Sequence, residues 1–311
     1  MFKIMKNQKL SVLEVIGNTP LVKINNLNKN PKITIFGKLE GLNPGGSVKD
    51  RPAYYMIKKA EESGRLTKEK IIIEPTSGNM GISLAMIGST KGYKVKLVMP
   101  ECVSSERCRL IEAFGGEVLL TPAKEGTDGA IKMAHRIFNE NPEKYFFPNQ
   151  FDNENNTLAH YKTTGPEIWV DTEGKITHFV AGMGTGGTLM GVGRYLKEKN
   201  SKIKIVGIEP PKGHKIQGLK NMEESIVPRI YHPEVLDGKN IIGDEEAFET
   251  TRLLAKKEGL FVGMSSGAAM AGALKIAKKI KSGLIVVILP DRGERYLSTT
   301  LFKSICAKCP P

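Results

Sequence analysis

No unbroken apolar stretch in this chain approaches the roughly 20 residues that a membrane-spanning helix needs. The N-terminal run Met1–Leu10 carries lysines but not the apolar segment of a signal peptide, so a cytoplasmic protein is expected. Cysteine is scarce, with 4 in 311 residues. Cys306 and Cys309 have the spacing of half a zinc site, Cys102 and Cys108 stand six apart, and neither pair has a histidine nearby in sequence. That pattern points to reduced thiols and no bound metal. Aromatic residues make up only 6%, and acidic residues are outnumbered by basic ones, 33 to 46. A net charge of +13 raises the question of nucleic acid. The lysines are scattered, however, as at Lys58-Lys59, Lys256-Lys257 and Lys278-Lys279, with no stripe or interleaved aromatics of the kind a nucleic-acid binder uses. Neither nucleic acid nor a membrane is expected as a partner, and the surplus charge reads as a surface that attracts small anions.

What is present is an ordinary globular composition, 40% hydrophobic and 25% charged. Single cores tend to split beyond roughly 250–300 residues, so two lobes are expected. From residue 71 a short apolar run, a Gly- or Ser-rich turn and an amphipathic helix recur. Strands are expected at 71–74, 94–99, 117–121 and 145–147, with helices following Thr76-Ser-Gly-Asn-Met-Gly81, following Ser104-Ser105, and near 128–140. Ser104 and Ser105 read as helix caps, and Gly115-Gly116 as the end of that helix. A second set follows, with strands at 176–181, 203–208 and 284–289 and helices near 187–199, 244–258 and 266–281. Residues 210–243 read as a long excursion. The fold class expected is α/β, with two doubly wound lobes. A smaller mobile lobe would span 45–150, and 1–44 plus 151–311 would form the larger one. Chemistry belongs at the carboxyl ends of the strands.

Three segments carry chemistry. In Gly41-Leu-Asn-Pro-Gly-Gly-Ser-Val-Lys-Asp-Arg-Pro52, two glycines and a proline hold Lys49 on a tight loop at the entrance to a helix. Thr76-Ser-Gly-Asn-Met-Gly81, between a strand and a helix, offers hydroxyls and free N–H groups to an anion, or is an ordinary capped turn. The run from His178 to Gly193 feeds a strand into Gly182, Gly184, Gly186 and Gly187, with Thr185 and Thr188 as hydroxyl donors, and reads as a phosphate cradle. Which phosphate is left open by these residues. Glu209 ends the next strand a little over 20 residues on, where a dinucleotide fold places its ribose-binding acid, so a nicotinamide dehydrogenase is a rival.

Taken in order, these segments resemble the cysteine synthases (O-acetylserine sulfhydrylases) and the related cystathionine β-synthases. These belong to the tryptophan-synthase-β-like, or fold type II, pyridoxal phosphate enzymes. The resemblance runs from Ile16-Gly-Asn-Thr-Pro-Leu21, through Thr164-Gly-Pro-Glu-Ile-Trp169 and Gly263-Met-Ser-Ser-Gly267, to Gly293-Glu-Arg-Tyr-Leu-Ser298. It implies that Lys49 forms the Schiff base with pyridoxal 5'-phosphate and moves the substrate α-proton. It implies that Asn79 bonds the ring hydroxyl, Gly184, Thr185, Gly186, Gly187 and Thr188 hold the phosphate, and Ser265 faces the pyridine nitrogen. Thr76, Ser77, Gly78, Met80 and Gln150 would bind the substrate.

A neutral hydroxyl at the ring nitrogen makes a weaker electron sink than a carboxylate. It therefore favours loss of a β-substituent, giving an α-aminoacrylate to which a nucleophile adds. The implied reaction is cysteine synthesis from O-acetyl-L-serine and sulfide. The alternative is β-replacement or β-elimination on L-cysteine or L-serine, forming lanthionine or cystathionine or releasing hydrogen sulfide. A homodimer is implied as well. Two departures bear on donor choice and on docking of a serine acetyltransferase tail. Met80 stands where many relatives carry Thr, and Leu219-Lys-Asn-Met-Glu-Glu-Ser225 replaces a glycine-rich loop. A catalytically silent relative is the third reading, opposed by the intact Lys49, cradle and turn.

Overall fold

A computed structural model describes residues 10–302; the Cys306 and Cys309 pair and residues 1–9 of the N-terminal run lie outside them. The chain opens with β1 (Leu21–Lys23) and β2 (Ile33–Leu39). There follow α1 (Asp50–Glu62), β3 (Ile71–Pro75), α2 (Asn79–Lys91), β4 (Val95–Pro100), α3 (Ser105–Ala113), β5 (Glu117–Thr121), α4 (Gly126–Glu140) and β6 (Tyr145–Phe146). Two helices come next, α5 (Glu154–Lys162) and α6 (Thr164–Asp171), then β7 (His178–Gly182), α7 (Gly187–Lys199) and β8 (Lys204–Glu209). The chain closes with β9 (Gly238–Ile241), α8 (Asp244–Glu258), α9 (Met264–Lys279) and β10 (Gly283–Leu289). Among the described residues no helix is long and apolar enough to cross a membrane.

The strands form two sheets. One is four-stranded and parallel, in the order β5-β4-β3-β6; the other is six-stranded, in the order β1-β2-β10-β7-β8-β9, parallel except for β1. Side-chain alternation along each strand divides the apolar residues between two faces. In β10, Ile285, Val287 and Leu289 join a cluster with α8 and α9, while Val286 and Ile288 join one with α7. In the smaller sheet Ile72 and Leu97 pack with α1, α2 and α3, and Ile73 and Val98 pack against Ala130 and Ala134 of α4. Sheets covered on both faces read as continuous apolar runs, which is why Ile71-Ile-Ile and Leu284-Ile-Val-Val-Ile-Leu289 were legible as strands.

Helices α2 and α9 are buried almost all round, from Met80 to Gly88 and from Met264 to Ala273. A helix that is apolar on every side belongs in the interior, and these two begin where β3 and the 260–263 segment end. The expected alternation of strands and helices is present, with the expected bounds met or shifted by one or two residues. The differences lie elsewhere. The 210–243 excursion contains a strand, β9, which pairs with β8 through Val206 and Gly238. Ser104 precedes α3, but its hydroxyl does not cap the helix; Oγ donates to the carbonyl of Arg295 at 2.7 Å, tying α3 to the segment after β10. Strand β2 was not anticipated, because Lys38 near its end disguises an apolar run. That lysine is fully buried, with Nζ 2.9 Å from Glu167.

Candidate active site

The carboxyl ends of β3, β7 and β10 face one chamber. Lys49, Thr76, Ser77, Asn79, Met80, Gln150, Gly184, Thr185, Gly186, Thr188 and Ser265 all line it. The site residues read from the sequence are thus brought together from both sheets. Gly78 and Gly187 are not on the wall. Gly78 has φ +141° immediately before α2, and Gly187 opens α7 so close to Asn156 that no side chain would fit. These two glycines shape the turns that deliver their neighbours.

Lys49 is placed by main-chain contacts rather than by its own side chain. The N–H of Val48 donates to Pro290 O at 2.8 Å, and Ser47 pairs with Asp291, so the loop lies along the segment after β10. Asp50 accepts from Gly45 N at 2.6 Å and from the Ser83 hydroxyl, which closes the loop onto α2. Burial pushes the Asp50 carboxyl up to about 6. Arg51 then locks the start of α1, with Nε 2.7 Å and Nη2 2.8 Å from Glu40 and Nη1 2.6 Å from Glu167. Enclosure of the Lys49 amine by the chamber pushes its pKa down to about 8, while the Asp291 carboxylate pulls the other way. A lysine poised there is partly neutral near physiological pH, as a nucleophile or base requires.

The hydroxyls of the chamber carry directional information. Thr76 Oγ1 accepts from Gly78 N at 2.9 Å, leaving its own proton free to point into the chamber. Thr185 Oγ1 accepts from Asn156 Nδ2 at 3.1 Å and from Gly187 N at 3.3 Å, again leaving its proton free. Both threonines sit beside helix N-termini, of α2 and α7, where unpaired N–H groups and the helix dipole favour an anion. Gln150 Nε2 donates to Pro75 O at 3.0 Å, and its main-chain N–H donates to buried Glu74 at 3.0 Å, so this side chain is fixed at the wall. Asn79 is held from both sides: Nδ2 donates to Asp291 Oδ2 at 2.7 Å, and Oδ1 accepts from Arg295.

The sequence reading missed several participants. Arg107 of α3 lines the chamber, donates to Gln217 and, at 2.9 Å, to the Tyr296 hydroxyl, and lies over the Tyr296 ring. Its spacing of four from Ile111 puts it on the buried face of α3, a signal that was available. Tyr296 donates in turn to Asp291 Oδ2 at 2.6 Å. Asp291, Arg295 and Tyr296 lie in or beside the Gly293–Ser298 motif, whose resemblance was visible but whose contacts were not. Lys220, in the departing 219–225 segment, also lines the chamber and reaches Asp128 of α4 at 3.2 Å. That ion pair spans from one sheet's side of the cleft to the other, at the neck of an outer vestibule of about 850 Å³. Glu209 is fully engaged elsewhere. It accepts from Met222 N at 2.8 Å and pairs with Lys239 at 2.7 Å, so it anchors the 210–241 segment and leaves the dehydrogenase reading without its acid.

Comparison with known proteins agrees with this geometry. The model of the family described as "Pyridoxal-phosphate dependent enzyme" matches residues 12–291. A cysteine synthase of Aquifex aeolicus is 46% identical over 300 residues, covering 94% of this chain and 92% of that protein. Among solved structures, a cysteine synthase from Entamoeba histolytica is similar with a TM-score of 0.91 and 40% identity, covering 98% of this chain and 94% of that one. A hydrogen sulfide-producing enzyme from Fusobacterium nucleatum is similar with a TM-score of 0.87 and 44% identity, covering 92% and 99%.

Proposed function

The chain belongs to the pyridoxal-phosphate-dependent enzymes, among the tryptophan-synthase-β-like cysteine synthases, and on that premise we propose that it makes L-cysteine from O-acetyl-L-serine and sulfide. The observation that carries the proposal is the convergence on one chamber of a low-pKa lysine, two helix N-termini and a hydroxyl at the start of α9. The residues fit pyridoxal phosphate by their chemistry. Lys49 would hold the aldehyde carbon, and the 184–188 loop with Thr185 and Thr188 would hold the phosphate. The loop is also built for close approach, since a Cβ on Gly184 would stand 2.8 Å from Gly218 O. Bound there, the cofactor supplies an electron sink for bond breaking at the substrate's α- and β-carbons.

The remaining chemistry belongs to the protein. Thr76 and Ser77 would offer hydroxyls to the substrate carboxylate, joined by the main-chain N–H groups that open α2 and by Gln150. Asn79, pinned by Asp291 and Arg295, would fix the ring's orientation, and Ser265 would meet the pyridine nitrogen with a neutral hydroxyl. Lys49 would take the proton from Cα, its depressed basicity leaving it able to accept at neutral pH. Met80 is buried beside the carboxylate turn and adds apolar bulk where a hydroxyl would add a donor.

The same reading takes residues 45–150 as a lobe that closes on substrate against the rest of the chain, with the Lys220 to Asp128 pair between them. It also takes the protein as a homodimer, to be checked by light scattering. The bulkier 219–225 segment stands at the vestibule neck, so we do not extend the proposal to a serine acetyltransferase partner. A second reading, elimination or replacement on L-cysteine or L-serine, is supported by the likeness to the Fusobacterium nucleatum enzyme. Visible spectra of the purified protein with each amino acid decide between them. A yellow protein whose band shifts to longer wavelength with O-acetylserine, and yields cysteine when sulfide is added, supports the first. A response confined to L-cysteine or L-serine supports the second. A protein that stays colourless with added cofactor refutes both.

A further inference from the structure

Behind the cradle lies a buried group that touches neither the chamber nor, on the reading above, the reaction. His160 of α5 is fully buried, with Nδ1 2.9 Å from Thr164 Oγ1 and Nε2 3.2 Å from Thr188 Oγ1. Desolvation holds the imidazole neutral, and the nearby cations Arg51 and Lys49 act in the same direction, against a smaller opposing pull from Glu167. A neutral imidazole has one N–H donor and one bare acceptor, so the Thr164–His160–Thr188 chain has two proton arrangements. In one, Thr188 donates to Nε2 and turns only lone pairs toward the chamber. In the other, Thr164 donates to Nδ1, Nε2–H donates to Thr188, and the Thr188 proton is free to point into the chamber.

Thr76 and Thr185 need no such switch, because each accepts from an N–H and keeps its proton for the chamber. Thr188 is different, since its hydroxyl direction is decided by which histidine nitrogen carries the proton. A phosphate dianion accepts hydrogen bonds and repels lone pairs. We infer that His160 is a positioning residue that, as the Nε2–H tautomer, fixes Thr188 as a hydrogen-bond donor to the cofactor phosphate. This rests on the reading of 184–188 as the phosphate cradle. His160 acts only through Thr188, and Thr164 serves as the donor that selects the tautomer.

Two measurements test it. Long-range proton–nitrogen NMR of the cofactor-loaded protein labelled with [¹⁵N]histidine, with His160 assigned by its loss in His160→Leu, is expected to show protonated Nε2 and bare Nδ1. The Nδ1–H tautomer or an imidazolium in the unsubstituted protein would overturn the inference. Cofactor affinity of the stripped protein is then compared across His160→Leu, Thr188→Val and the double variant. Thr188→Val is expected to weaken affinity roughly tenfold, as loss of one bond to a charged group would, and His160→Leu somewhat less. The double variant is expected to be no weaker than Thr188→Val alone. Independent, multiplying losses would make His160 a packing residue and overturn the inference alone. An unchanged affinity in Thr188→Val would overturn the cradle reading and this inference with it.

Discussion

The carboxyl group of Glu74, fully buried near the end of β3, accepts the main-chain N–H of Gln150 at 3.0 Å, and its other oxygen accepts that of Asn149 at 2.7 Å. Asn149 has φ +52°, a left-handed conformation that asparagine adopts more readily than most side chains. Glu74 therefore ties the strand that leads into the Thr76 turn to the residue that reaches the same chamber from the other direction.

Glu74→Gln replaces one acceptor oxygen by an amide donor that faces an N–H. One of the two bonds is lost, worth about 1 kcal/mol, and the turn at Gln150 loosens. Steady-state kinetics should show KM for the amino acid rising roughly three- to tenfold, with kcat changed far less, because Gln150 is assigned to binding and not to proton transfer. Burial also pushes the Glu74 pKa up to about 8 against the pull of the two amides. The native state then holds a proton that the unfolded state has released between the ordinary glutamate value and about 8. Stability attributable to this group falls as pH rises through that window, and denaturant titrations should show the slope flattened in Glu74→Gln.

Lys49 gives a second pH prediction. With its pKa lowered to about 8, the amine is neutral in roughly a tenth of molecules at pH 7, compared with fewer than about one in a thousand at the ordinary lysine value. The rate at which the stripped protein takes up pyridoxal phosphate, followed by absorbance, should climb with pH and level off above about 8. Asp291→Asn removes the carboxylate that raises the Lys49 value, so the midpoint should move to lower pH. A climb continuing to pH 10 would show that the amine is not enclosed. For stability the sign is the reverse of Glu74: the penalty for enclosing a charged amine is present below about 8 and is relieved as pH rises beyond it.

Gly184→Ala would place a Cβ 2.8 Å from the carbonyl oxygen of Gly218, a contact that only backbone movement relieves. The loop before α7 would shift away from the chamber. Equilibrium dialysis should show cofactor affinity reduced by about tenfold or more, since several anion contacts depend on that loop together, while far-ultraviolet circular dichroism stays that of the parent.

Arg51→Met removes the cation that Glu40 faces in a fully buried site and that Glu167 meets at 2.6 Å. An uncompensated buried carboxylate costs about 3–5 kcal/mol, so urea denaturation should show a loss of that order. Exchanging Arg51 and Glu40 together for apolar residues should restore part of it. An exposed pair such as Lys59 with Glu62, by contrast, should leave stability nearly unchanged when broken, because solvent screens it.

Much of this molecule was legible before any fold was known. Apolar runs such as Ile71-Ile-Ile and Leu284-Ile-Val-Val-Ile-Leu289 specify strands buried on both faces, and the glycine turns at 78 and 182–187 mark where strands hand over to helices. The loop of Lys49 and the turn holding Asn79 stood out by their glycines, but the roles of Lys49, Asn79, Gln150 and Ser265 came only from the resemblance, since a lone lysine or serine carries no local sign of its chemistry. Glu209 misled, because an acid at a plausible offset was read without knowing that Lys239 and the Met222 amide would claim it.

The sequence by itself determined the alternation of elements, the glycine-permitted turns and the identities of the side chains at the strand ends, since these follow from local sterics and hydrophobic periodicity. Tertiary structure decided which groups meet. Only folding brings Asp291 and Arg295 onto Asn79, sets Glu74 beneath Gln150, and lays His160 between Thr164 and Thr188. It also lowers the Lys49 pKa, because desolvation strong enough to outweigh the opposing pull of Asp291 exists only once chain segments far apart in sequence enclose the same volume.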